Sequence, residues 1–227
     1  MNFSKTRNRL LTFLTGALLF AVGCGDSGST QLRVLHASPD APNVDVLYDG
    51  KTLLTNVAYP DASAYLKVKA GTRRVEVRAT GATADVIDAK PNFSKNRLYT
   101  LIAGNDLASI TPLVFLDDFT APASGQAKLR FIHAAPGAAG VDIYVGAPGS
   151  GTAGTPAVTN LAYQGATSYL SVPAGSYQAY ITPTGSKTIA IDSGVLTLGS
   201  GQVRTAVAIG DPAVGKPLSA VVLSDLN

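Results

Sequence analysis

Two tandem antiparallel β-sandwich domains, immunoglobulin-like or transthyretin-like, are what this all-β sequence predicts, and three observations carry the prediction. First, the stretch LRVLHASPDAPNVDVLY at 32–48 returns as LRFIHAAPGAAGVDIYV at 129–145, so that His36 matches His133 and Asp45 matches Asp142, each 97 positions further on. Solenoid units repeat every 20–50 residues or so; a longer period marks two copies of a whole domain. Second, short alternating polar and apolar runs are separated by Gly, Pro and Asp-Gly turn signals. Third, no window of helix length beyond residue 23 shows helical periodicity. With 46% hydrophobic and 15% charged residues, 23 Gly and 13 Pro, the chain is folded and turn-rich. Each copy, at roughly 90–100 residues, is large enough for its own core.

The chain opens on Lys5, Arg7 and Arg9, followed by the apolar run LLTFLTGALLFAV at 10–22. That run is too short to cross a ~30 Å hydrocarbon core as a helix and reads as the centre of a signal peptide. Ala21-Val22-Gly23-Cys24 resembles the bacterial lipoprotein signal, in which signal peptidase II cuts before the cysteine and the thiol carries diacylglycerol. The resemblance implies a signal peptide at 1–23, lipidation of Cys24, a tether at 24–30 and attachment to a membrane. Gly25 stands where an Asp would retain a Gram-negative lipoprotein at the inner membrane, which implies the outer membrane. The alternative is an ordinary secretory signal with a stray cysteine. Cys24 is the only cysteine, which excludes an internal disulfide and a cysteine zinc cluster. A tether of about seven extended residues reaches about 23 Å and keeps the first domain near the membrane.

The formal charge of +3 comes from the leader. Beyond residue 23 the chain carries 15 basic residues against 15 acidic ones. A neutral chain gives no electrostatic case for nucleic acid.

The first domain is expected at 31–119. Leu32–His36 and Val44–Tyr48 read as strands on either side of ASPDAPN, whose Pro39 and Pro42 break regular structure. Asp49-Gly50 signals a hairpin. Strands follow at 53–59, 65–69 and 72–78, the last with Val75 and Val77 on one face and Arg74, Glu76 and Arg78 on a wet one. Short runs at 86–87, 98–103 and 112–116 complete the set.

A linker is expected at 120–126 and the second domain at 127–227. TNLAY at 159–163 answers TNVAY at 55–59, Tyr169–Gly175 answers Tyr65–Gly71, and Val221–Asp225 answers Val114–Asp118. The offset grows past 97 because the second copy carries an insertion near GAPGSGTAGTP, 146–156, which is expected to be a mobile loop. The first copy is the more charged, with ten basic and ten acidic residues against five and four.

HASPDAPNVDV, NVAYPDASAY and KAGTRRVEV, then HAAPGAAGVDI, NLAYQGATSY and PAGSYQAYI, resemble the opening and inner segments of the bacterial domain-of-unknown-function 4397 family. The resemblance covers almost all of 31–227. The second copy replaces Ser38, Asp40 and Pro42 by Ala135, Gly137 and Ala139. The family occurs in exported and cell-surface proteins and has no assigned catalytic residue, so none is carried over.

The candidate binding residues are His36 with Asp45 and His133 with Asp142, read either as a ligand or catalytic pair or as strand-end histidines bonded to the turn. Catalysis would also require a nucleophile or an open metal position, and one His plus one Asp per copy is too few for a protein zinc site. Asp40, Asp45 and Asp49 offer oxygens to calcium but lack EF-hand spacing. Tyr59 with Tyr163 and Tyr65 with Tyr169 are matched pairs, suited to core packing or to a partner surface. Lys67, Lys69, Arg73, Arg74 and Arg78 form a basic cluster, a solvated strand face or a membrane-facing patch. Gly25–Gly28 imitates a protease nucleophile segment inside the tether. Gly210–Lys216 imitates a phosphate loop, with Pro217 where Ser or Thr is needed.

The expectation is a non-enzymatic envelope lipoprotein without cofactor or metal, binding or scaffolding an envelope protein or polysaccharide. The rivals are a polysaccharide-binding module, a hydrolase using His36 and Asp45, and a structural spacer.

Overall fold

A computed structural model describes residues 28–118 and 120–226. The signal segment and Cys24 lie outside the described residues. The first copy supplies β1 (Ser29–His36), β2 (Val44–Tyr48), β3 (Lys51–Val57), β4 (Leu66–Lys69), β5 (Gly71–Thr72), β6 (Val75–Ala79), β7 (Asp85–Ala89), β8 (Asn92–Phe93), β9 (Leu98–Gly104) and β10 (Thr111–Asp117). The second supplies β11 (Gln126–His133), β12 (Val141–Gly146), β13 (Val158–Leu161), β14 (Leu170–Pro173), β15 (Gly175–Pro183), β16 (Ile191–Leu198), β17 (Val203–Asp211) and β18 (Lys216–Leu226). Single 3₁₀ turns at Leu107–Ser109 and Pro212–Val214 follow β9 and β17.

Each copy is a sandwich of two four-stranded sheets. In the first, β10-β9-β1-β4 faces β3-β2-β6-β7; in the second, β14-β11-β17-β18 faces β13-β12-β15-β16. Leu32, Val34, Leu101 and Ala103 of one sheet meet Val44, Val46, Val75 and Val77 of the other to form the first core. Leu129, Phe131, Ala206 and Ala208 meet Val141, Ile143, Ala179 and Ile181 to form the second. Pairing is antiparallel, as expected, except for β1 with β9 and β11 with β17, which run parallel. Parallel neighbours need a long crossover, and here the chain builds the whole opposite sheet between them.

Four further details differ from expectation. The run 72–78 is two strands, because Arg73 leaves the ladder to donate its N–H to Pro91 O at 3.0 Å. The β5–β8 pair was not anticipated. Glu76 is not on a wet face: it is buried, accepting from Gly50 N at 3.0 Å and pairing with Arg74 at 2.5 Å. The inserted loop of the second copy is tied down. Lys187 Nζ donates to Thr152 O and Gly154 O at 2.9 and 2.8 Å, and Gly149 N donates to Gln178 Oε1 at 2.8 Å.

The two sandwiches pack against each other through the outer faces of β10-β9-β1-β4 and β14-β11-β17-β18. Leu35, Ala37, Ile102 and Leu113 of the first meet Ile132, Ala134, Val207, Ile209 and Leu223 of the second in one apolar cluster. These strands are therefore buried on both sides, and the molecule has four layers.

Candidate functional site

The histidines stand at the ends of β1 and β11, and both are fully buried. His36 Nε2 lies 3.0 Å from Pro42 O, and His133 Nε2 lies 2.8 Å from Ala139 O. A carbonyl only accepts, so Nε2 carries the proton in both rings. Burial lowers both pKa values below the usual 6.5 and keeps the rings neutral. Each ring meets a tyrosine edge-on, His36 with Tyr59 at 6.2 Å and His133 with Tyr163 at 5.7 Å. Each histidine thus pins the loop that follows it, six residues on, to the end of its own strand.

Asp45 and Asp142 bond elsewhere. Asp45 Oδ1 accepts from Asn56 N at 2.8 Å and from the Thr80 hydroxyl at 3.0 Å. Asp142 accepts from Asn160 N at 2.8 Å and Gly185 N at 2.9 Å. Asn56 and Asn160 sit at φ 55° and 48°, in the left-handed region, and the aspartates hold those turns. These amide bonds lower the pKa of both carboxyls. The His and Asp of each copy therefore hold two different loops.

Asp40, the acid lost from the second copy, accepts from Leu107 N at 2.7 Å and caps the 3₁₀ turn after β9. In the second copy Gly137 takes its place and Asp211 caps its own turn, accepting from Ala213 N at 2.8 Å. Asp49 accepts from Arg74 N at 3.1 Å and faces Arg73 at 3.4 Å. Among the described residues no three His, Cys, Asp or Glu side chains group as metal ligands. Smaller residues in the second copy's loop leave an apolar cavity of about 200 Å³ lined by His133, Ala135, Ala139, Ile181, Ile191 and Leu218.

The densest chemistry lies between the sandwiches, on residues of which Tyr65 and Tyr169 alone stood among the candidates read from the sequence. Arg33 of β1 donates to Asp225 Oδ1 at 2.6 Å, to Ser224 O at 2.9 Å and to its own Thr100 hydroxyl at 2.7 Å. Arg130 of β11 makes the reciprocal set: Asp117 Oδ1, Leu116 O at 2.9 Å and Thr205 at 3.1 Å. Tyr65 and Thr100 donate to Asp117 Oδ2, both at 2.7 Å. Tyr169 donates to Asp225 Oδ2 at 2.8 Å, and Thr205 donates to the same oxygen. Each guanidinium also stacks 4.6 Å from the tyrosine ring of its own copy, Arg33 on Tyr65 and Arg130 on Tyr169. Both arginines and both aspartates are buried, their charges cancel and their polar atoms are partnered. Burial and the nearby aspartates push both tyrosine hydroxyls up, so they remain donors.

This lock also corrects the alignment of the copies. Thr100 pairs with Phe115 and Thr205 with Leu223, so Asp225 answers Asp117 and not Asp118. The sequence signal was present: LRVLH and LRFIH each place one arginine in an otherwise apolar run.

The model of the family described as "Domain of unknown function (DUF4397)" matches residues 30–144 and again 133–227. The chain belongs to the DUF4397 family. None of the curated proteins matches it. Among solved structures, this DUF4397 protein is similar to CBMbc (family CBM26) from Eubacterium rectale Amy13K, solved in complex with maltoheptaose, at 10% identity and a TM-score of 0.28, covering 88% of this chain and 98% of that one. A streptococcal virulence factor described by its alpha-glucan binding shares 13% identity at a TM-score of 0.25, over 74% of this chain and 88% of that one. A leucine-rich repeat protein from Bacteroides thetaiotaomicron shares 14% at 0.21, over 78% and 25%. In the DUF4397 pattern HASPDAP the histidine bonds the Pro42 carbonyl and ties the loop to the end of β1, and Asp40 ties it to the turn after β9.

Proposed function

We propose that this protein is a lipid-anchored component of the bacterial envelope, without catalytic activity, whose paired sandwiches bind or scaffold another envelope molecule. The observation that carries the reading is the buried arginine–aspartate lock. The polar side chains the two copies share are committed either to joining the sandwiches into one block or to holding loops within each of them, which leaves the outer surface for a partner. The Ala21-Val22-Gly23-Cys24 segment supports the anchor and, with Gly25, the outer membrane. Labelled fatty acid is expected to enter the wild type and not Cys24→Ala; label in both, or in neither, overturns the anchor. Crosslinking in the native envelope is expected to capture a partner.

Polysaccharide is the second class of partner. Among the described residues every Phe and Tyr is buried or half-buried, so sugar rings find no exposed aromatic platform, and recognition would rest on hydrogen bonds. A glycan array probed with residues 31–227 separates the two classes.

A further inference from the structure

The expected basic cluster resolves into two parts. Arg73, Arg74 and Arg78 are neutralised by Asp49, Glu76, Asp85 and Asp88. Lys67 and Lys69 belong to a different group. β4 pairs with the start of β1, setting Ser29 opposite Lys69 and Gln31 opposite Lys67. One depression beside Ser29 is lined by Lys51, Lys67 and Lys69, and a second by Lys67 and Arg97. Among the described residues neither depression is lined by an Asp or Glu, and Lys51, Lys67, Lys69 and Arg97 are exposed. They ring the point where the chain enters the fold.

That point is close to Cys24. Four residues lie between Cys24 and Ser29, and the five steps along the chain span at most about 17 Å at full extension. Lipid on Cys24 therefore keeps Ser29 within about two Debye lengths of the headgroups at physiological salt. The second copy supplies an internal control. At the positions equivalent to Lys67, Lys69 and Arg97 it carries Ser171, Pro173 and Gln202. Both copies keep the fold, and only the one next to the anchor carries the cations.

We propose that this collar of Lys51, Lys67, Lys69 and Arg97 is a membrane-docking face that binds the phosphates of anionic lipid headgroups and seats the first sandwich on the bilayer. The proposal rests on the lipid-anchor reading for its setting, and charge complementarity selects the occupant. Each cation near such a surface strengthens binding by a factor of about five.

The test uses the chain from residue 24 onward with Cys24→Ser, which retains both sandwiches and carries no lipid, in sedimentation with vesicles. Binding to phosphatidylcholine vesicles containing phosphatidylglycerol is expected to exceed binding to pure phosphatidylcholine at least tenfold at low salt and to collapse at high salt. Lys51→Gln, Lys67→Gln, Lys69→Gln and Arg97→Gln together are expected to abolish that preference with the melting temperature unchanged, while Lys90→Gln leaves it intact. Equal binding to both vesicle types, or a preference that survives the quadruple variant, overturns the collar. Anionic binding to a chain whose wild type takes up no fatty acid refutes the anchor and leaves the charge selectivity standing.

Discussion

At the scale of the residue, the two histidines are structural bolts that titrate. Burial lowers both pKa values below 6.5, so the unfolded chain takes up protons, as pH falls, before the folded chain does. The stability they contribute is fully present above about pH 6.5 and is lost as pH falls through their folded values. The depressed carboxyls of Asp45 and Asp142 follow the same sign further down, below their ordinary 3.8. The denaturant midpoint is expected to hold from pH 8 to 7 and to decline between about pH 6.5 and 5. The double variant His36→Gln, His133→Gln, less stable at pH 7, is expected to show a flatter profile across that window; an unchanged slope contradicts the assignment. The repeat made both histidines visible in the sequence. Their partners were not, because backbone carbonyls six residues away carry no signature in residue type.

At the scale of the element, the strands were legible where one face is wet and less so where both are dry. VLHA, LIAG and AVAIG are continuous apolar runs, the mark of strands covered on both faces. Read for alternation alone, they disclosed one core and hid the second sheet stacked behind. The signature loop concentrates His, Ser and Asp and so invites a search for chemistry; its acid is a cap. Asp40→Ala is expected to cost about 1 kcal/mol, as loss of a capping hydrogen bond does, measured by chemical denaturation. Its counterpart Gly137 is expected to resist substitution for a different reason: a Cβ there would stand 2.2 Å from Asp211 Oδ1 and 2.9 Å from Asp211 Cα. Gly137→Ala must push the loop off the end of β17, and a stability equal to wild type would show that the loop can give.

At the scale of the molecule, the two sandwiches unfold as one unit if the lock carries weight. Removing one partner of a buried, hydrogen-bonded ion pair costs about 3–5 kcal/mol, because the other charge is left uncompensated. Arg33→Met and Asp225→Leu are each expected to cost that much, and the double variant less than the sum, in a cycle read from denaturation midpoints. Strict additivity would mean that the two side chains do not act on each other. The mated faces have a further property. Each brings an arginine and an aspartate, in the same places, to the other's aspartate and arginine. Such a face is isologous: it complements a near-copy of itself, and so it complements itself. The linker then serves to raise the effective concentration of one half for the other, turning a bimolecular encounter into a fold. A first sandwich made alone, residues 31–119, is expected to form a symmetric pair in which Arg33 reaches the mate's Asp117, with a mass that doubles as concentration rises in sedimentation equilibrium. A folded sandwich that stays monomeric would show that the divergence of the two copies has already made each one specific for the other.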